Sequence, residues 1–206
     1  MQQSAADQRA ATVSQVARAG GHGSPVVGGV LLACGLIGLC AALVLLVEKF
    51  RLVADPAYVP SCSISPLLSC GSIMSTPQAE VFGFPNPIIG VAGFAALITV
   101  AVTTLAGARL PAWYWMGLTL GTGMGAIFVH WLIFQSLYRI GALCPYCMVV
   151  WLVTVAALVA VLARWSHAGA LPRWVADYAT SLVVAWSLLV AALIAVRFWD
   201  YWVTLL

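Results

Sequence analysis

The chain has 206 residues, 63% of them hydrophobic and 7% charged, with a net charge of +3 and a mean hydropathy of +1.03. A soluble domain carries about 25% charged residues, so the composition excludes one and specifies an integral membrane protein. So small a net charge gives no ground for nucleic-acid binding; the partner implied is the lipid bilayer, with the aromatic and Arg residues as interface anchors.

Residues 1–25 are rich in Ala, Gln and Gly and read as a mobile cytoplasmic tail. No apolar core follows an early basic stretch, so the tail does not read as a cleavable signal peptide. Residues 26–206 read as one all-α membrane domain with five charge-free stretches: Val26–Val47, Pro87–Leu105, Trp113–Tyr138, Pro145–Ala163 and Ala179–Val196. Each approaches the roughly 20 residues a helix needs to cross the hydrocarbon core. The third carries Gly117, Gly121 and Gly125, a small-xxx-small series that predicts close packing against a neighbouring helix. Between the first two spans lies a long loop, residues 48–86, broken by five prolines. Within it, Ser75 to Phe84 predicts a short surface helix capping the bundle.

Six cysteines occur. Cys34 and Cys40 lie six apart inside the first span, poorly placed to pair, and read as small apolar residues. Cys144-Pro145-Tyr146-Cys147 opens the fourth span. Thiols at i and i+3 in a first turn share one face, and the positive helix end favours thiolate. Pro145 suits that turn because its missing N–H is not needed there. Alone, the motif is open between a redox dithiol, a structural disulfide and half of a zinc site. Cys62 and Cys70 sharpen it. Spans two and three form a hairpin, so both cysteine pairs emerge on the same membrane face and can meet. Four thiols on one face permit a relay by thiol–disulfide exchange. The seven-residue gap between Cys62 and Cys70 is wider than a usual zinc knuckle, so no metal is expected. A relay at a bilayer rim needs an acceptor, and a membrane quinone such as menaquinone fits an apolar pocket with a few polar groups. Asn86, Thr76 and the aromatic residues near Cys147 are the candidates to hold it.

With the N-terminus inside, the inner side holds five Lys or Arg and the outer side four. Paired loop thiols suit an oxidising exterior, so the expected setting is a bacterial cell (inner) membrane with the N-terminus cytoplasmic and the thiols on the extracytoplasmic side.

Taken together, Cys62-Ser-Ile-Ser-Pro-Leu-Leu-Ser-Cys70, Gly71-Ser-Ile-Met-Ser-Thr76, Phe82-Gly-Phe-Pro-Asn86-Pro-Ile-Ile-Gly90 and Cys144-x-x-Cys147 resemble the vitamin K epoxide reductase family, most of all its bacterial, actinobacterial-type members. The resemblance implies a four-helix bundle around a quinone plus a fifth helix. It implies that Cys147 reduces, or forms an adduct with, the quinone, that Cys144 is its disulfide partner, that Cys70 attacks Cys144, and that Cys62 takes electrons from a thioredoxin-fold, DsbA-like extracytoplasmic protein. It implies Asn86 as the hydrogen bond to a quinone carbonyl and Thr76 as the Ser or Thr near the site. Where animal members place a quinone-contacting Tyr, this chain has Trp151, which donates only through its indole N–H; quinone reduction is therefore favoured over epoxide reduction. This chain carries no thioredoxin-like domain, so the partner is expected to be a separate protein. The activity implied is that of a thiol–quinone oxidoreductase that drives disulfide formation in exported proteins.

Three further features read as structural. His130 inside span three is either functional or a neutral hydrogen-bonded histidine. Glu80 reads as a wetting charge on the loop. Trp113, Tyr114, Trp115, Trp199, Tyr201 and Trp202 read as interfacial belts.

Overall fold

The structure, a computed structural model, describes residues 25–203; the expected tail lies outside them but for Pro25. Eight α-helices follow in order: α1 (Pro25–Ala54), α2 (Cys70–Met74), α3 (Pro87–Leu105), α4 (Ala112–Gln135), α5 (Pro145–His167), α6 (Trp174–Asp177), α7 (Ala179–Arg197) and α8 (Trp199–Val203). Five of them, α1, α3, α4, α5 and α7, are long and apolar enough to cross a membrane. Proline opens α1, α3 and α5, where the first turn has no use for its missing N–H. Gly107, Gly141 and Gly169 close α3, the end of α4 and α5 with positive φ, a conformation that only glycine adopts freely.

α1 does not stop where its charge-free run ends at Val47. It continues through Glu48, Lys49 and Arg51 to Ala54, because Glu and Lys are good helix formers and both side chains find partners in the loop. The capping segment is two pieces rather than one. α2 precedes a 3-10 turn, Pro77–Glu80, which lies inside the expected Ser75–Phe84 stretch.

α1, α3 and α5 meet in a core of Leu31, Ala42, Phe94, Leu97, Val100, Val153, Ala157 and Val161. The close approach falls on α1. A Cβ at Gly35 would lie 2.6 Å from the Ile98 side chain, one at Gly28 would lie 2.9 Å from Leu105, and one at Gly38 would overlap the Phe94 ring. The expected close packing at Gly117, Gly121 and Gly125 is therefore corrected. A Cβ at Gly117 or Gly121 would meet nothing within 4 Å, and one at Gly125 only Thr154 at 3.4 Å. That stripe faces a cavity. α3 and α4, although consecutive, barely touch, and the space between them belongs to this cavity.

α7 lies outside the four-helix bundle. Its Ile194, with Phe198, packs on Val129, Ile133, Leu137 and Trp151. The Arg197 Nε–H donates to the Leu137 carbonyl at 3.0 Å. Trp186 Nε1–H donates to His130 Nε2 at 2.9 Å, and His130 Nδ1 lies 2.7 Å from the Ala126 carbonyl. A ring that accepts at Nε2 and donates at Nδ1 is neutral, so His130 links α4 to α7. Trp115 departs from the belt reading: it is 2% exposed, with the Arg164 guanidinium 4.1 Å over its ring.

Candidate functional site

The two cysteine pairs meet, as the hairpin topology allows. Cys62 and Cys70 form a disulfide, and the Cys70 sulfur lies 3.1 Å from that of Cys144. A short backbone clasp sets this contact. Leu143 N–H donates to the Leu67 carbonyl at 2.8 Å, and Ser69 N–H donates to the Leu143 carbonyl at 2.9 Å. Ser69 then caps α2, with its Oγ accepting from Ser72 N–H at 3.2 Å, which places Cys70 in the first turn. Cys144 is the N-cap of α5 and accepts the Cys147 N–H on its sulfur at 3.4 Å.

Cys62, Cys70 and Cys144 are all buried, and their sulfurs lie within 4.8 Å of one another. A soft metal would suit three thiolates, but two of these sulfurs are bonded to each other. The arrangement suits exchange: a free sulfur already lies in contact with a disulfide sulfur, the approach that exchange requires. The hydrogen bond with the Cys147 thiol, joined by the Cys147 and Tyr146 amides, holds the Cys144 thiol below its ordinary range against the opposing effect of burial. Cys144 and Cys147 are both free thiols.

Cys147, three residues on, opens into the cavity. Its volume is about 740 Å³ and its walls come from α1, α3, α4, α5 and the capping segment. The lining is overwhelmingly apolar; Lys49, Gln78, Asn86 and Gln135 are among its polar residues, while the Thr122 and Thr154 hydroxyls along it donate back to their own helices. The residues expected from sequence divide here. Asn86 and Trp151 line the cavity with Cys147. Thr76 does not; it is the N-cap of the 3-10 turn, and its hydroxyl donates to the Ile73 carbonyl at 2.7 Å. Asn86 also holds the cap in place, donating from Nδ2 to the Gln78 carbonyl at 2.7 Å and accepting Val81 N–H at 3.2 Å. One of its two amide hydrogens remains available. Tyr114 and Trp113 line the cavity rather than serving only as a belt.

Two lining residues escaped the sequence reading. Gln135 sits at the end of α4, and its side-chain amide has no hydrogen-bond partner among the described residues. Lys49 is 8% exposed; its ammonium donates to the Met74 carbonyl at 2.7 Å and pairs with Glu80 at 2.9 Å. Glu80 is thus a tie between cap and bundle rather than a wetting charge. Beside it, Glu48 accepts from Ser61 at 2.7 Å and from Tyr58 at 2.9 Å, which pins the strand of loop leading into Cys62. An intramembrane polar residue among apolar side chains was the available signal; a charge directly after a hydrophobic run reads instead as the end of the span.

The sequence model described as the vitamin K epoxide reductase family matches residues 29–162. The match covers well over half of the chain, including both cysteine pairs, the cap and the cavity-lining parts of α1, α3, α4 and α5; it ends before α7. Comparison with curated proteins finds no match.

Proposed function

The chain belongs to the vitamin K epoxide reductase family, and we propose that it is the thiol–quinone oxidoreductase of a bacterial cell membrane, oxidising a DsbA-like thioredoxin-fold protein and reducing a quinone such as menaquinone. Membership of the family makes it a multi-pass membrane oxidoreductase of disulfide and quinone chemistry. One observation carries the more specific reading. The Cys70–Cys144 contact of 3.1 Å joins a loop disulfide to a CxxC pair whose second cysteine opens into an apolar cavity.

The relay then runs in steps that this chain's own residues perform. The partner's dithiol reduces Cys62–Cys70 through a mixed disulfide at Cys62. Cys70 passes the electrons on by attacking Cys144 while Cys144 is bonded to Cys147, which frees Cys147. Exchange at Cys70 closes the Cys62–Cys70 bond again and leaves Cys144 and Cys147 as thiols, the pairing the structure holds. Cys147 faces the cavity to deliver two electrons. The remaining Asn86 hydrogen and the unpartnered Gln135 amide supply donors for the two carbonyl oxygens, with the Trp151 indole packed beside Cys147. The slot between α3 and α4, floored by Gly93, Gly117 and Gly121, gives a long apolar tail room to lie. The redox face is extracytoplasmic and the N-terminus cytoplasmic, since paired loop thiols suit an oxidising exterior.

The test is quinone reduction by the purified protein in detergent with dithiothreitol as donor, beside Cys147→Ala. Turnover that vanishes in the variant supports the assignment. Turnover that persists in it refutes the site.

A further inference from the structure

We propose that Lys49 is a catalytic residue of quinone reduction: its ammonium protonates the quinone oxygen turned toward the cap. This rests on the thiol–quinone reading above. Ala42, Leu45 and Lys49 line the cavity, and their spacing of three and four places them on one face of α1. Leu45 packs in the cluster that contains Cys62, Cys70, Cys144 and Cys147, so the next turn of the same face brings Lys49 to the cysteine end of the cavity. Met74, whose carbonyl it holds, lines the cavity with it, as do Gln78 and Asn86.

An ammonium has three donor hydrogens. Two are directed at the Met74 carbonyl and Glu80, which fix the side chain and leave the third for the cavity. A buried cation that served only as an anchor for the cap would be expected to turn all its donors away from an apolar space, because burying an unused one is costly. A donor held in the wall of the cavity that Cys147 also lines meets the need of the chemistry instead: two electrons delivered to a quinone put negative charge on its oxygens, and fixed donors in a water-poor site stabilise such charge strongly.

The balance closes within the protein. Two S–H bonds break and the Cys144–Cys147 S–S bond forms; the quinone is reduced and its two carbonyl oxygens become hydroxyls. Lys49 gives its proton to one oxygen and regains one released from the thiol pair, so it ends as it began. Glu80, 42% exposed at its side chain, is a positioning residue that holds the ammonium.

The test uses the full chain in detergent, dithiothreitol as donor and a short-tailed naphthoquinone as acceptor. Two rates are read: quinol formation at saturating quinone, and reduction of Cys62–Cys70 without quinone. Lys49→Met is expected to lower the first about 100-fold, the scale of losing one oxyanion donor, and to leave the second within about twofold. Lys49→Arg, which keeps the charge but does not give up its proton, is expected to leave the first rate low; recovery to near the parent rate would overturn proton donation by Lys49. Glu80→Gln, which removes the tie but keeps the ammonium, is expected to lose far less than Lys49→Met. The proposal is overturned if Lys49→Met turns quinone over near the parent rate, if both rates fall together, or if Glu80→Gln matches Lys49→Met; the last two identify a cap anchor only. An unsubstituted chain that fails to reduce quinone at all overturns the thiol–quinone reading itself, a result distinct from each of these.

Discussion

Two glycines that look alike in sequence should respond in opposite ways to the same methyl group. Gly38 on α1 faces the Phe94 ring, where a Cβ would overlap it, whereas Gly121 on α4 faces open cavity. Replacing glycine by alanine in a helix gains about 0.5–1 kcal/mol from reduced backbone freedom. At Gly121 nothing opposes that gain, so Gly121→Ala should be stabilising by up to about 1 kcal/mol. At Gly38 the new methyl must displace a buried aromatic ring, and overpacking costs about 1–3 kcal/mol. Gly38→Ala should therefore be destabilising by about 1 kcal/mol net. Equilibrium unfolding in mixed micelles, followed by helical circular dichroism, reads the difference directly. Gly121→Leu extends the test to function: its side chain enters the cavity and should raise the KM for quinone while leaving Cys62–Cys70 reduction unchanged. Equal destabilisation by Gly38→Ala and Gly121→Ala would refute the reasoning, because it would mean that α4 packs on a helix through its glycines after all.

Replacing Cys62 or Cys70 by Ser should abolish turnover with a thioredoxin-fold donor while dithiothreitol still drives quinone reduction; equal loss with both donors counts against the relay. Asn86→Ala should weaken quinone use, by about 1–3 kcal/mol in kcat/KM for a lost buried donor, with the thiol pattern unchanged; unaltered kinetics would remove Asn86 from the site. Because the Cys144 thiol is held below its ordinary range, its thiolate form persists to lower pH than that of a free cysteine. With Cys144 and Cys147 as thiols, the rate at which iodoacetamide alkylates Cys144, read by mass spectrometry, should rise with pH and level off at a lower pH than for free cysteine; levelling at or above the free-cysteine pH contradicts the assigned hydrogen bonding. Trp186→Phe should cost about 0.6–1 kcal/mol of stability by removing the α4–α7 hydrogen bond to His130, and quinone turnover should survive it.

What the sequence revealed, and what it hid, follows from how far each signal reaches along the chain. Charge-free runs are local, so five spans could be read directly, and the hairpin of spans two and three put both cysteine pairs on one membrane face. The pairing of Lys49 with Glu80 joins residues from the end of one helix and the middle of a loop; no periodicity marks it, and Lys49 looked like a span boundary while Glu80 looked like a wetting charge. The glycine stripe at residues 117, 121 and 125 failed for a different reason. Small residues repeat every fourth position both where a neighbouring backbone must approach and where a bound molecule must fit, because each demands a helix face without side chains. Sequence reports the bare face but not what lies against it. The two cases separate once the partner surface is known: on α1 the glycines meet Phe94, Ile98 and Leu105, and on α4 they meet space beside Cys147. Trp115 shows the same ambiguity from the other side. An aromatic residue at a span's end is read as an interfacial anchor, yet Arg164, from the far end of α5, covers this one. The cysteine pairs were therefore legible because covalent chemistry leaves its residue type in the chain, whereas the cavity beside Cys147 is made by residues that are absent or small.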